Sequence, residues 1–181
     1  MPVLSSFLAR YRRSGPWTAA LFLCFLAGAA LPVGELLTRG TVRFSFPADG
    51  LPALAARFCL PTAVAWLLGF FACGVLLLPV WTALCGYVLA APAALAVQTA
   101  GVPGFLALFA RYGLPGFAAL PLFFAVASLS ALCSECAFRR LTGQAPGAWQ
   151  TPLSPAFPLF FAASLLALLA LSVGTAMLWS V

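Results

Sequence analysis

The longest stretch without a charged residue spans residues 58–110 and reads FCLPTAVAWLLGFFACGVLLLPVWTALCGYVLAAPAALAVQTAGVPGFLALFA. It contains 53 residues, and a helix needs about 20 apolar residues to cross the hydrocarbon core of a bilayer. The stretch therefore predicts two crossings, over residues 60–78 and 80–99, with Pro61 and Pro79 in first-turn positions. The turn between them is apolar, so we expect its backbone groups to be packed against protein rather than lipid.

Three further charge-free runs lie on either side, at residues 14–34, 112–134 and 141–181. Each is long enough for one crossing, and we predict these helices over residues 17–37, 116–137 and 156–179. The predicted fold class is all-α: a polytopic integral membrane helix bundle of about five transmembrane helices, forming one membrane domain over residues 1–181. The first helix is predicted to be an uncleaved signal anchor, although Ala27-Gly28-Ala29 leaves a signal-peptidase site open as an alternative.

Composition excludes several classes of protein. Of 181 residues, 64% are apolar and 7% are charged, which is too few polar groups to cover a soluble domain. The chain has no His and only three acids, so it lacks the imidazole of a Ser-His-Asp or Cys-His system and of a His-ligated metal site. We predict that it is not an enzyme and that it has no catalytic residue, cofactor or metal. Its nine Arg lie at segment edges, so nucleic-acid binding is not expected either.

Two connections carry recognisable features. Residues 38–57 form the longest polar connection, and its end, residues 51–58, predicts a short helix in the membrane interface. Gly101-Val102-Pro103-Gly104 is repeated twelve residues later as Gly113-Leu114-Pro115-Gly116. The first copy opens a stretch too short to span, a short re-entrant or interfacial segment, and the second opens the fourth helix.

The arginines give an orientation. Under the five-helix layout, Arg10, Arg12, Arg13, Arg139 and Arg140 lie on one side, and Arg39, Arg43, Arg57 and Arg111 lie on the other. The compact cluster before the first helix and the pair at 139–140 favour a cytoplasmic N-terminus and an external C-terminus in a bacterial cell membrane.

Small and polar residues within the helices have a packing interpretation. Gly28, Gly69, Gly74 and Gly86 and the serines at 130 and 134 predict close helix contacts within the chain, with a protein–protein interface as the alternative. Cys133 and Cys136 form a CxxC motif that we interpret as packing residues rather than a redox dithiol. Glu135 and Arg139 are four residues apart and predict a surface ion pair.

A series of glycine and proline landmarks runs through the central part of the chain. In order they are Trp66-Leu67-Leu68-Gly69, Gly74, Leu78-Pro79, Gly86, Gly101-Val102-Pro103-Gly104-Phe105-Leu106 with Phe109, Leu114-Pro115, Leu120-Pro121 and the small residues of 127–134. Their order and spacing resemble the stage II sporulation protein M family of endospore-forming bacteria, and the five-helix layout resembles that family over the whole chain. The chain departs from the family at residues 58–60 and 116–117, where apolar residues and a glycine replace polar ones.

The resemblance implies a non-enzymatic membrane scaffold for engulfment during sporulation. Proteins of that family anchor two peptidoglycan-remodelling hydrolases, the stage II sporulation proteins D and P, in the membrane facing the septum. The partners implied here are thus the lipid bilayer and hydrolases of that kind. With the orientation above, residues 38–57 and 100–112 are external, so we predict partner contacts at Arg39, Arg43, Arg57 and Arg111.

Two other functions stay open from the sequence. The paired Gly-x-Pro-Gly turns are also typical of broken helices in small-solute transporters or channels, although only Gln98 and Arg111 lie near them. A membrane subunit of an unrelated assembly is the third possibility.

Overall fold

The computed structural model describes residues 14–41, 51–143 and 156–179, with α-helix as the dominant structure and no strand in those residues. The helices are α1 (Gly15–Arg39), α2 (Leu51–Leu68), α3 (Gly74–Leu108), α4 (Leu114–Leu141) and α5 (Ala156–Trp179), with a π-helical turn (Phe109–Gly113) between α3 and α4. Three segments are long and apolar enough to cross a membrane: Gly15–Arg39, Gly74–Leu141 and Phe157–Leu178. A shorter apolar helix covers Pro52–Leu68. The predicted all-α membrane bundle is confirmed.

One end of the bundle is marked by Trp17, and we call it the Trp17 end. The indole of Trp17, at the start of α1, donates a hydrogen bond to Glu135 near the end of α4. The end of α2 and the start of α3 meet the same part of α4, because Ser134 donates to the carbonyl of Phe71 in the turn between them. The first turns of α5 are also close, since the ring of Phe161 stacks on Trp66 near the end of α2.

The opposite end is marked by Tyr112, and we call it the Tyr112 end. The guanidinium of Arg57, seven residues into α2, lies over the Tyr112 ring just before α4 begins. Helices α1, α3 and α5 therefore run from the Trp17 end towards the Tyr112 end, and α2 and α4 run back. The five helices therefore alternate in direction along the chain.

The long helical segment Gly74–Leu141 turns back on itself at Gly101. Gly101 has φ 65° and ψ −158°, a conformation that is essentially restricted to glycine. Beyond the turn, Gly104 lies against Ala100, and Gly116 of α4 faces the side chain of Leu89 in α3. Residues 100–112 are therefore the helical tip of an α3–α4 hairpin, at the place where the sequence predicts a short re-entrant or interfacial segment.

The break between the second and third helices differs from the prediction. Helix α2 ends at Leu68 and α3 begins at Gly74, so a helix over 60–78 and a break near Pro79 are wrong. Pro79 is the sixth residue of α3, where it removes one backbone donor from the helix without ending it. Residues 51–58 are likewise the beginning of α2 and not a separate interfacial helix.

The interior is held together by close contacts between helix backbones. A Cβ atom added to Gly28 of α1 would lie 1.9 Å from the Ala83 carbonyl oxygen of α3, and one added to Gly86 would lie 2.1 Å from that of Phe25. A Cβ on Gly69 would lie 2.8 Å from the Cβ of Ser130. The prediction that these small residues serve packing within the chain is thus confirmed. Around them lies a core of Leu21, Phe25, Ala65, Leu78, Phe123, Phe124, Ala127 and Ala131.

Candidate functional site

The Tyr112 end brings together two of the four arginines that the sequence singled out. The guanidinium carbon of Arg57 lies 5.3 Å from the centroid of the Tyr112 ring, and that of Arg111 lies 5.2 Å from the same centroid. Arg39, the last residue of α1, is exposed at this end of the bundle. Arg43 lies outside the residues that the structure describes. We call Arg57, Arg111 and Tyr112 the arginine–tyrosine cluster.

Two local features position this cluster. Arg111 and Tyr112 belong to the π-helical turn, whose wider winding changes the direction in which their side chains leave the helix. Arg57 precedes Phe58, which is buried in a small core with Ala119 of α4. Because Phe58 is packed beside Ala119, about two turns beyond Tyr112, the side chain of Arg57 has to extend towards the bundle end to reach the ring.

No carboxylate compensates the charge of the cluster within the described part of the chain. The acids there are Glu35 and Glu135, and neither forms an ion pair with Arg57 or Arg111. Both arginines are nevertheless half-buried. Each contact with the Tyr112 ring contributes about 0.5–2 kcal/mol, which holds the guanidiniums in place without neutralising them.

The depth of the cluster follows from the length of α4. Tyr112 and Arg139 are separated by 27 residues of nearly continuous helix, which corresponds to about 40 Å. A bilayer is about 40–45 Å thick when its headgroup regions are included. When Arg139 lies among the headgroups of one leaflet and α4 runs along the bilayer normal, the arginine–tyrosine cluster lies among the headgroups of the other.

The Trp17 end contains the ion pair predicted from the sequence. Arg139 pairs with Glu135, which confirms that prediction, and the second oxygen of Glu135 accepts the indole N–H of Trp17 at 2.9 Å. Because Glu135 and Arg139 are four residues apart in a helix, the sequence predicts the contact between them. The second joins residues 118 positions apart, and no local pattern indicates it.

The polar groups of the interior serve mainly the backbone. Ser134 of α4 donates to the carbonyl of Phe71 at 2.6 Å, which also accepts the N–H of Gly74, and so joins α4 to the turn between α2 and α3. The hydroxyls of Thr82, Ser172 and Thr175 donate to carbonyls four residues earlier in their own helices. At its observed position the turn packs against α4 through the buried Gly69 and Gly74, whereas the side chains of Phe70 and Phe71 are exposed.

The described residues contain no group of three or more His, Cys, Asp or Glu side chains that could hold a metal ion. Cys133 and Cys136 are half-buried near the end of α4 and form no disulfide. Three buried polar atoms in the described helices have no hydrogen-bond partner: the hydroxyls of Thr62 and Ser130 and the indole nitrogen of Trp66. None of the three is ionisable in the physiological range, so they offer no acid–base chemistry.

No family model, no curated protein and no solved structure matches the chain. The arginine–tyrosine cluster is the one place in the described structure where half-buried charges converge without compensation.

Proposed function

We propose that this chain is a non-enzymatic membrane scaffold that resembles stage II sporulation protein M and anchors peptidoglycan-remodelling partners at the sporulation septum during engulfment. The observation that carries the proposal is the contrast between interior and end. The interior is closed by direct backbone contacts between helices, whereas the Tyr112 end presents Arg39, Arg57 and Arg111 without acidic partners in the described chain. A rigid anchor with one charged end suits docking better than chemistry.

The proposed orientation places the Trp17 end in the cytoplasm and the Tyr112 end outside. Arg139 and Arg140 lie at the Trp17 end, as does the start of α1, which follows three further arginines in the sequence. Arginines that precede the first helix closely have the greatest weight in setting orientation. Membrane-anchored hydrolases that act on the wall would then meet Arg39, Arg43, Arg57 and Arg111.

The described structure gives less support to transport. The break at Gly101 lies in an exposed turn at the tip of the α3–α4 hairpin, not within the bundle. Broken helices of transporters place freed backbone groups and ionisable side chains around a site at mid-depth. At the break after α2, the hydroxyl of Ser134 donates a hydrogen bond to the carbonyl of Phe71.

Crosslinking in sporulating cells, followed by identification of the captured proteins, tests the scaffold function. We expect wall hydrolases to be captured by the natural chain and by Arg140→Gln, which changes one charge at the Trp17 end. The double variant Arg57→Gln/Arg111→Gln should lose most of that capture while inserting normally. Deletion of the gene should arrest engulfment and leave a thick septum. Normal engulfment in the deletion strain would exclude this function.

A further inference from the structure

We propose that the arginine–tyrosine cluster binds the phosphate of an anionic lipid headgroup, and that this site clamps the Tyr112 end to one leaflet. The inference goes beyond the scaffold function and does not depend on it. Its starting point is that two guanidiniums approach one ring, so they can be no further apart than the sum of their two distances to its centroid. Two positive charges within about 10 Å of each other, roughly one Debye length, repel each other, and an anion beside them offsets that repulsion.

The chemistry of the two side chains selects the class of anion. Guanidinium carries five N–H donors in a planar fork that matches the oxygens of a phosphate or carboxylate. In the described structure neither Arg57 nor Arg111 uses these donors on a protein acceptor. Both are half-buried, so their donors are also partly withdrawn from water. Such donors gain more from a charged acceptor than freely hydrated ones do.

Depth selects the source of the anion. The cluster lies about 40 Å along α4 from Arg139, which places it at the level of headgroup phosphates. Basic pockets between transmembrane helices at this level bind anionic lipid headgroups. A phosphodiester of phosphatidylglycerol supplies the oxygens and is present at that depth in bacterial membranes.

The surface beside the cluster fits acyl chains. Leu114 and Phe117 follow Tyr112 on α4 and are 59% and 56% exposed, and Leu60 follows Arg57 on α2 and is 56% exposed. These side chains lie deeper than the cluster, on the helices that carry it. A lipid whose phosphate contacts the guanidiniums would therefore meet apolar side chains along its tails.

Lipid retention by the purified full-length chain tests the site. The chain in neutral detergent is mixed with phosphatidylglycerol, phosphatidylcholine or inorganic phosphate, and bound species are counted by native mass spectrometry. We expect phosphatidylglycerol to be retained over phosphatidylcholine, and Arg57→Gln or Arg111→Gln to weaken that retention about tenfold, the size of one lost charged hydrogen bond. Arg140→Gln, at the Trp17 end, should retain the lipid as the natural chain does.

Variants of Tyr112 test whether its ring contributes to lipid retention in addition to the charges of the two arginines. Tyr112→Phe keeps the ring and should retain phosphatidylglycerol. Tyr112→Leu should lower that retention several-fold, because the guanidiniums are no longer held against a ring. Thermal unfolding in neutral detergent shows which variants fold, and Arg111→Gln provides the measurement when Arg57→Gln does not fold. Equal retention of the two lipids, equal retention by Arg111→Gln and Arg140→Gln, or full competition by millimolar inorganic phosphate would each overturn the proposal. Because no partner protein is present, failure here leaves the scaffold function untouched.

Discussion

The contact between α1 and α3 gives the sharpest prediction. At Gly28 the backbone of α1 approaches α3 so closely that an added Cβ would lie 1.9 Å from the Ala83 carbonyl oxygen. An ordinary contact begins at 3.4 Å, so Gly28→Ala must separate the two helices locally by about 1.5 Å. Both neighbours are backbone atoms of regular helix, and neither can rotate away as a side chain would.

The magnitude follows from that separation. A gap of 0.5–1 Å already loses about a quarter to a half of the dispersion energy between facing atoms, so an opening of 1.5 Å removes most of it near the crossing. Overpacking a close contact typically costs about 1–3 kcal/mol, and we expect Gly28→Ala to fall at the upper end, about 2–3 kcal/mol. Gly34→Ala is the matched control in the same helix, because nothing lies within 4 Å of its added Cβ. The control should be neutral or stabilised by up to about 1 kcal/mol through helix propensity.

Reversible unfolding with sodium dodecyl sulfate, started from mild detergent and read by tryptophan fluorescence, measures both variants. Gly86→Ala provides an independent test, since its Cβ would lie 2.1 Å from the Phe25 carbonyl oxygen of α1. The Gly28→Ala/Gly86→Ala double variant should lose less stability than the sum of the two, because both open the same interface. If Gly28→Ala unfolds at the same point as Gly34→Ala, the two helices do not pack as closely as described and the reasoning fails.

Ser134→Ala should lower the free energy of unfolding by about 1 kcal/mol, because it removes a hydrogen bond that joins α4 to the α2–α3 turn, whereas Ser164→Ala removes only a bond within its own helix and should change little. Detergent unfolding of the two variants side by side provides the comparison. Trp81→Phe should lower the free energy of unfolding by about 1 kcal/mol more than Trp66→Phe does. The indole N–H of Trp81 donates to the carbonyl of Pro61, whereas that of Trp66 has no partner in the described structure. Equal losses of stability in the two variants would contradict these assignments. Gly101→Ala should cost about 1–3 kcal/mol although there is space for a methyl group, because its φ and ψ are unfavourable for alanine; an unchanged unfolding midpoint would show that the turn adopts another conformation.

The observed helix bounds show which parts of the fold can be predicted from the sequence. The first and last helices, predicted over 17–37 and 156–179, are observed as Gly15–Arg39 and Ala156–Trp179. Each is isolated by polar or Pro- and Gly-containing connections, so a count of apolar residues was sufficient. The break inside the 53-residue run was misplaced because apolar residues surround it on both sides. Pro79 predicts a break after residue 78, but the chain breaks between Gly69 and Gly74, where only glycine allows α4 to come close.

The sequence likewise predicts only part of the candidate site. The sequence predicts partner contacts at Arg57 and Arg111, because both lie in connections that the predicted topology places outside the membrane. Tyr112 was not assigned a role, because its significance arises only when α2 places Arg57 over its ring. A tyrosine next to one arginine in sequence carries no such signal.

Charge-free runs of this length already predict a helical membrane protein, since they can satisfy their backbone groups in lipid only as helices. The small residues available for close packing and the charged residues can also be read along the chain. Where the long apolar run breaks and which arginines meet depend on contacts between helices that are distant in sequence. The physical reason is that hydropathy is nearly uniform along the run, so the break is set by contacts between distant backbones: Gly69 against Ser130, and the turn carbonyl of Phe71 against Ser134.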